Sequence, residues 1–222
     1  AYFAEYSYNR NPDSFALGAI ALEALIANGQ IIEALPIGLK ISKNMPEITL
    51  AQYISMIDSL NSNSYSKVLD VLLNISPNGI DNFILPILQT WAAAGSNKEL
   101  GGLEIMKGQA NRGVLDPLYD YQSALIYEFI GDIENAHISY KNIIKRSNNA
   151  NAHVYSRAAI FFANNNLPDL YSETLNKLES IDPYSNELFI LKTNNNYTKK
   201  TKITNIKKGI SEVFLNSSEI LF

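Results

Sequence analysis

Apolar residues along the 222-residue chain recur at helical spacing and scarcely ever alternate. Leu17, Ile20, Ala21 and Leu25 share one face of a 3.6-residue period, and Ala124, Leu125, Tyr127 and Phe129 form a second apolar group. Punctuation by Gly, Pro, Asn and Asp divides the pattern into predicted helices at 14–28, 30–43, 47–61, 64–75, 82–94, 98–111, 117–130, 132–147, 150–164, 167–181 and 183–193. A polar and basic linker, 194–208, precedes a last predicted helix at 209–222. Asp116-Pro117 and Asp182-Pro183 read as acidic caps before a proline at the first helical position, and Pro12 and Pro46 as further helix starts. Pro36 and Pro86 fall inside predicted helices, which implies a kink or a later boundary.

A longer period overlies the helical one. Gly29, Asn63, Asn97, Gly131 and Asn165 stand at successive intervals of 34, and Gly and Asn are the residues that tolerate the left-handed conformation ending a helix. Ala34, Val68 and Ala136 lie five residues after these turns, and Ile41, Ile75 and Ile143 seven later again. Leu22, Met56 and Ala124 hold the matching place in the helix before each turn, where small or slender residues let two antiparallel helices approach. Pro12 and Pro46 keep the same interval, and Pro183 falls one residue off it. Each period is therefore one helical hairpin, and the hairpins must stack to bury their apolar faces.

Composition narrows the function classes. Charged residues are 18% of the chain and the net charge is -4, so polarity comes from amides and hydroxyls, 26 of them Asn. No basic stripe is present for nucleic acid. No apolar run approaches the ~18 residues of a membrane span; the longest, 15–27, contains Glu23. Zero cysteines exclude disulfides, thiolate nucleophiles and cysteine metal sites, and fit a cytoplasmic or a periplasmic setting alike. The ends, half a helix at 1–8 and an uncapped Ile220-Leu221-Phe222, read as cuts within a longer protein.

Paired helices on this period resemble the tetratricopeptide repeat. The best match is 117–148, with Ala124, Tyr127, Gly131, Ala136, Tyr140, Ile143 and Asn148 at the family's small, aromatic, turn and cap positions. The segment 15–46 matches through Leu22, Leu25, Gly29, Ala34, Ile41 and Pro46, and 49–75 more weakly. The last repeat, 152–183, fits after a one-residue slip, with Ala158, Ala159, Phe162, Tyr171, Leu175 and Leu178. The segment 83–109 departs most, since Gly101, Gly102 and Gly108 weaken its second helix. The stretch 86–95 is similar to part of long bacterial tetratricopeptide-like proteins of undefined activity. The resemblance covers residues 2–191 and implies an all-α, right-handed superhelix of about five antiparallel hairpins plus a partial one at the N-terminus.

Nothing in the sequence has the pattern of an active site. The two histidines, His137 and His153, have no partner at metal-ligand spacing, no glycine loop or nucleophile elbow occurs, and no cofactor is implied. An enzyme would need a site assembled from Tyr, Glu and His on the inner face. The glycosylation-type triplets at Asn74, Asn196 and Asn216 are what so Asn-rich a chain supplies by chance, and Lys199, Lys200, Lys202, Lys207 and Lys208 form no helical stripe.

What remains is surface shape. In the family, the first helix of each hairpin lines the concave face. The resemblance then assigns Glu23, Tyr53, Ile57, Trp91, Tyr121, Leu125 and Glu128 to a partner-binding groove, apolar and aromatic in the middle with Glu23 and Glu128 at its rim. Some members hold a peptide carboxylate with Lys and Asn; the corresponding places here are Ala19, Tyr53, Ile87 and Tyr121, so such a clamp is not expected. The reading is a non-enzymatic interaction scaffold taking a peptide or partner helix, with no metal, nucleic acid or membrane. The alternative is a structural repeat domain whose inner face packs on other parts of a longer chain.

Overall fold

The computed structural model describes residues 1–96, 103, 104, 106, 115–146, 151–193 and 203–221. Its helices are α1 (Tyr2–Arg10), α2 (Phe15–Ala27), α3 (Ile31–Asn44), α4 (Thr49–Asn61), α5 (Tyr65–Leu73), α6 (Asp81–Gly95), α7 (Asp116–Ile130), α8 (Ile133–Arg146), α9 (Ala152–Asn164), α10 (Pro168–Ile181), α11 (Asn186–Thr193) and α12 (Ile206–Leu221). Among the described residues there is no strand. Of the predicted helix 98–111 only 103, 104 and 106 are described, all helical; Asn97, Gly101, Gly102, Gly108 and 194–202 lie outside the described residues.

Two compact units result, Ala1–Gly102 and Leu103–Phe222. In the first, each helix from α1 to α6 packs on the next, and α2 also meets α4. In the second, α7 pairs with α8 and α9 with α10, α8 meets α9, α11 packs on α9 and α10, and α12 lies on α7.

The period of 34 has a backbone cause. Gly29, Asn63, Gly131 and Asn166 all take positive φ, 73°, 54°, 84° and 56°. After each, the next amide reaches back five residues: Gln30 to the Leu25 carbonyl, Ser64 to Ser59, Asp132 to Tyr127 and Leu167 to Phe162, at 2.9–3.0 Å. This is the Schellman closure, which satisfies orphan carbonyls of the first helix while reversing the chain. In the last repeat the left-handed residue is Asn166 rather than Asn165, which accounts for the one-residue slip seen in the sequence.

Half a period away stands a second device. Pro12, Pro46 and Pro183 each lie three residues before a helix begins, at the second position of a β-turn closed by Ser14 to Asn11, Ile48 to Met45 and Ser185 to Asp182. The residues before them, Asn11, Met45 and Asp182, share φ near -140° and ψ of 70–79°. A following proline disfavours the helical region there, so the preceding helix must stop. These prolines therefore end one helix and turn the chain instead of starting the next. Asp182 closes α10 and does not cap α11; Ser185 does, accepting from the Leu188 amide at 3.1 Å. Only Pro117 among those singled out from the sequence occupies the first turn of a helix. The boundaries do not move for Pro36 and Pro86, which are the sixth residues of α3 and α6.

The crossing residues are where the repeat placed them: Leu22, Met56 and Ala124, and Ala34, Val68 and Ala136, are at most 1% exposed. At one crossing the approach is closer still. A Cβ on Gly38 of α3 would stand 2.6 Å from the Ile54 Cγ2 of α4, so only glycine fits.

Candidate functional site

In the N-terminal unit the candidate face comes from α2 and α4, which touch one another. Glu23 is exposed, Ala19 and Ile26 are half-buried on the same helix, and on α4 Tyr53 and Ile57 are half-buried one turn apart. Ile26 and Ile57 rest on the core formed by Leu22, Leu25, Ala51 and Ile54. The Tyr53 hydroxyl donates to Asp81 Oδ1 of α6 at 2.6 Å. Burial, that hydrogen bond and the adjacent carboxylate charge push the phenol pKa well up, so Tyr53 stays a neutral donor. Trp91 is fully buried in α6, as are Ile87, Ala92 and Ala93. It offers no surface in this conformation and serves as core.

In the C-terminal unit Tyr121, Leu125 and Glu128 of α7 are 1%, 0% and 4% exposed. Over Tyr121 the covering element is α12, which packs on α7. Its buried apolar residues Ile206, Ile210 and Val213 recur at helical spacing and make one stripe, flanked by the buried polar Asn216 and Ser217, while Phe214 and Leu215 are exposed. Asn205 starts it, accepting from the Lys208 amide at 2.9 Å.

The polar contacts of α12 converge on Glu212. Its Oε2 is 3.1 Å from His153 Nε2 of α9, accepts from Asn216 Nδ2 at 3.1 Å and from the Tyr121 hydroxyl of α7 at 3.3 Å. Burial would raise the Glu212 pKa, but the His153 hydrogen bond and charge, with those from Asn216 and Tyr121, outweigh it and hold the carboxyl below its usual range. Tyr121 moves the opposite way, pushed up by burial and by the Glu212 charge. Tyr, Glu and His do meet on this face, as a catalytic reading would need. Their arrangement is that of a clasp, with three donors on one carboxylate oxygen joining three helices.

Beneath the clasp is a second polar group. Arg157 Nη2 of α9 donates to Glu128 Oε2 at 2.9 Å, and the Tyr140 hydroxyl of α8 donates to the same oxygen at 3.1 Å. The side chains of the ion pair are only 6% and 5% exposed. Burial alone would lower the Arg157 pKa, but Tyr140, Glu128, Tyr121 and Glu212 more than offset it, so the guanidinium stays charged. Glu128 is thus an internal partner and not a rim charge. Sequence reasoning passed over Arg157, Tyr140 and Glu212 as site residues. A lone arginine before the apolar run Ala158–Phe162, and an acid beside the Ile206–Ile210–Val213 stripe, were the available signals.

No helix among the described residues is long and apolar enough to cross a membrane. No known family's sequence pattern matches the chain, and no curated protein matches it. Among solved structures, that of YrrB, described as a TPR protein with an unusual peptide-binding site, matches 85% of this chain and 97% of its own. The TM-score is 0.55 and the identity 13%, so the likeness is one of fold. With hairpins repeated on a period of 34 and left-handed turns closing them, the chain has the all-α, solenoid-type fold of a tetratricopeptide-repeat protein.

Proposed function

We propose that this protein is an interaction scaffold whose first-helix faces receive a peptide or helix from a protein partner. The observation that carries the reading is α12, a helix seated through an apolar stripe on the face made by α7. A face that seats one amphipathic helix has the shape and apolar character for helix-in-groove recognition. The structural neighbour's peptide-binding site supports the same use of the fold. In the N-terminal unit the corresponding surface is Glu23, Tyr53 and Ile57, where a partner would bury the Ile57 side chain and the Tyr53 ring beside an acidic edge.

The second reading, a structural domain whose inner face packs on its own chain, is favoured by that same α12. The two readings differ at α4. Selection of displayed helical peptides on the full chain should enrich amphipathic sequences, and Ile57→Lys should weaken their capture about tenfold, a 1.4 kcal/mol loss, with the helical circular dichroism signal intact. Capture indifferent to Ile57→Lys would remove the N-terminal face as a site and leave the structural reading.

A further inference from the structure

We infer that α12 is an internal ligand of the C-terminal unit, occupying a site that fits an external helix with apolar residues at i, i+4 and i+7 and a carboxylate at i+6. The pattern is read from the occupant: Ile206, Ile210 and Val213 are at most 3% exposed, and Glu212 is the acid. It rests on the scaffold reading above and names the ligand chemistry of one of its faces.

Three observations carry it. First, α12 is held by Tyr121 on α7 and His153 on α9, the first helices of two successive hairpins, which the family resemblance assigns to the inner face. Secondly, the hairpins do not need α12 to close. Their turns are sealed by backbone bonds of their own, and their crossings at Ala124, Ala136, Ala158 and Ala159 are filled by α7, α8, α9 and α10. Thirdly, the site is complementary in charge. A carboxylate delivered to it meets the Tyr121 hydroxyl and His153, with the Arg157 guanidinium contributing to the local field. Recognition by an apolar stripe plus one acid is the chemistry of a specific helix, and it distinguishes this helix from a merely greasy one, because an uncharged stripe takes the carboxylate away from the buried Tyr121 hydroxyl.

A tethered segment competes at an effective concentration of order millimolar, so the resident masks the site until it is displaced. The probe is a labelled peptide of residues 203–221 added to the full chain. Wild type should capture it weakly, and the full-chain variant Ile210→Asp/Val213→Asp, with its own helix unseated, should bind it at least about tenfold tighter. The same peptide carrying Glu212→Gln should lose most of that gain. Hydrogen exchange on the unaltered protein gives an independent reading: α12 amides should open well before those of α7 to α10. Exchange of α12 only with the whole unit, or an unseated variant that binds no more peptide than wild type, overturns the inference. If the variant does not fold, the exchange order alone decides. None of these results bears on Ile57→Lys, so failure here is separable from failure of the scaffold reading.

Discussion

The two units share a repeat and differ in what lies inside it. The N-terminal unit has an apolar interior of Leu22, Leu25, Ile41, Ile54 and Met56, and among its described residues no charged side chain is buried. Its two buried polar groups, Gln52 and Thr90, bond to backbone carbonyls, Gln52 to Ser42 and Pro46, and Thr90 to Pro86. The C-terminal unit buries Glu128 and Arg157 against Tyr140, and carries the Glu212 clasp above them. In one unit α4 leaves Tyr53 and Ile57 half-exposed; in the other α7 lies under α12. Apolar packing accepts small rotations of neighbouring helices, whereas an ion pair with a shared oxygen closes only in one register. The covered face is thus the one whose helices are fixed by directional bonds.

The largest expected effect breaks that register. Arg157→Met removes the guanidinium from a buried Glu128 that keeps the Tyr140 hydroxyl as a donor, and should cost about 3–5 kcal/mol of stability, read as a lower urea midpoint. Glu128→Gln/Arg157→Met removes both charges and should recover most of the loss, because what destabilises is the uncompensated charge and not the missing pair. A loss below about 1 kcal/mol for the single variant would mean that the pair is not desolvated as its 5–6% exposure implies. Among the described residues of the N-terminal unit no charged side chain is buried, so no comparable single change of charge is available there.

Much of the scaffold was legible in the sequence because backbone conformation restricts residue type. Positive φ selects Gly29, Asn63, Gly131 and Asn166, and the restriction before proline ends helices at Asn11, Met45 and Asp182; both leave one-letter traces at fixed spacing. A proline's fixed φ serves a first helical turn and a β-turn equally, so residue type alone does not separate the helix starts expected at Pro12, Pro46 and Pro183 from the β-turns found there. The candidate site was only partly legible. That Tyr121 and Leu125 share a helix face follows from spacing, but that α12 returns to Tyr121 is a contact between residues 91 apart, Tyr121 and Glu212, to which no local pattern points. An aromatic at the position of Trp91 suits a binding surface and a core equally well, so its full burial does not follow from residue type.

A smaller effect tests the apolar side of the comparison. Gly38→Ala places a methyl 2.6 Å from Ile54 Cγ2 and 2.8 Å from its Cβ, atoms of a stiff branched side chain held on α4. Overpacking of this kind costs about 1–3 kcal/mol, and the gain in helix propensity of ~1 kcal/mol offsets part of it, leaving a net loss of up to about 2 kcal/mol. Gly18→Ala is the control. Its methyl would meet Tyr8 Cε2 at 3.1 Å and Ile41 Cδ1 at 3.2 Å, outlying atoms that can give way, so its thermal unfolding should stay near that of wild type.

The smallest effect asks what the turn positions require, and it should be the same in both units. Gly131 has φ of 84°, so Gly131→Ala should cost about 1 kcal/mol from the left-handed conformation alone, nothing lying within 4 Å of the added methyl. Asn63 and Asn166, at 54° and 56°, already tolerate that region. Replacing either with Gly relieves a little backbone strain and frees the unfolded chain by a similar amount, so each change should stay within about 0.5 kcal/mol. Asn63 adds one side-chain contact, accepting at 3.3 Å from the exposed Tyr65 hydroxyl. If Asn63→Gly matched the cost of Gly131→Ala, that bond and not the backbone would be what holds asparagine at its place in the period. If it is neutral, as expected, the interval of 34 is a record of where the chain must turn left-handed, and the side chain there is free to vary.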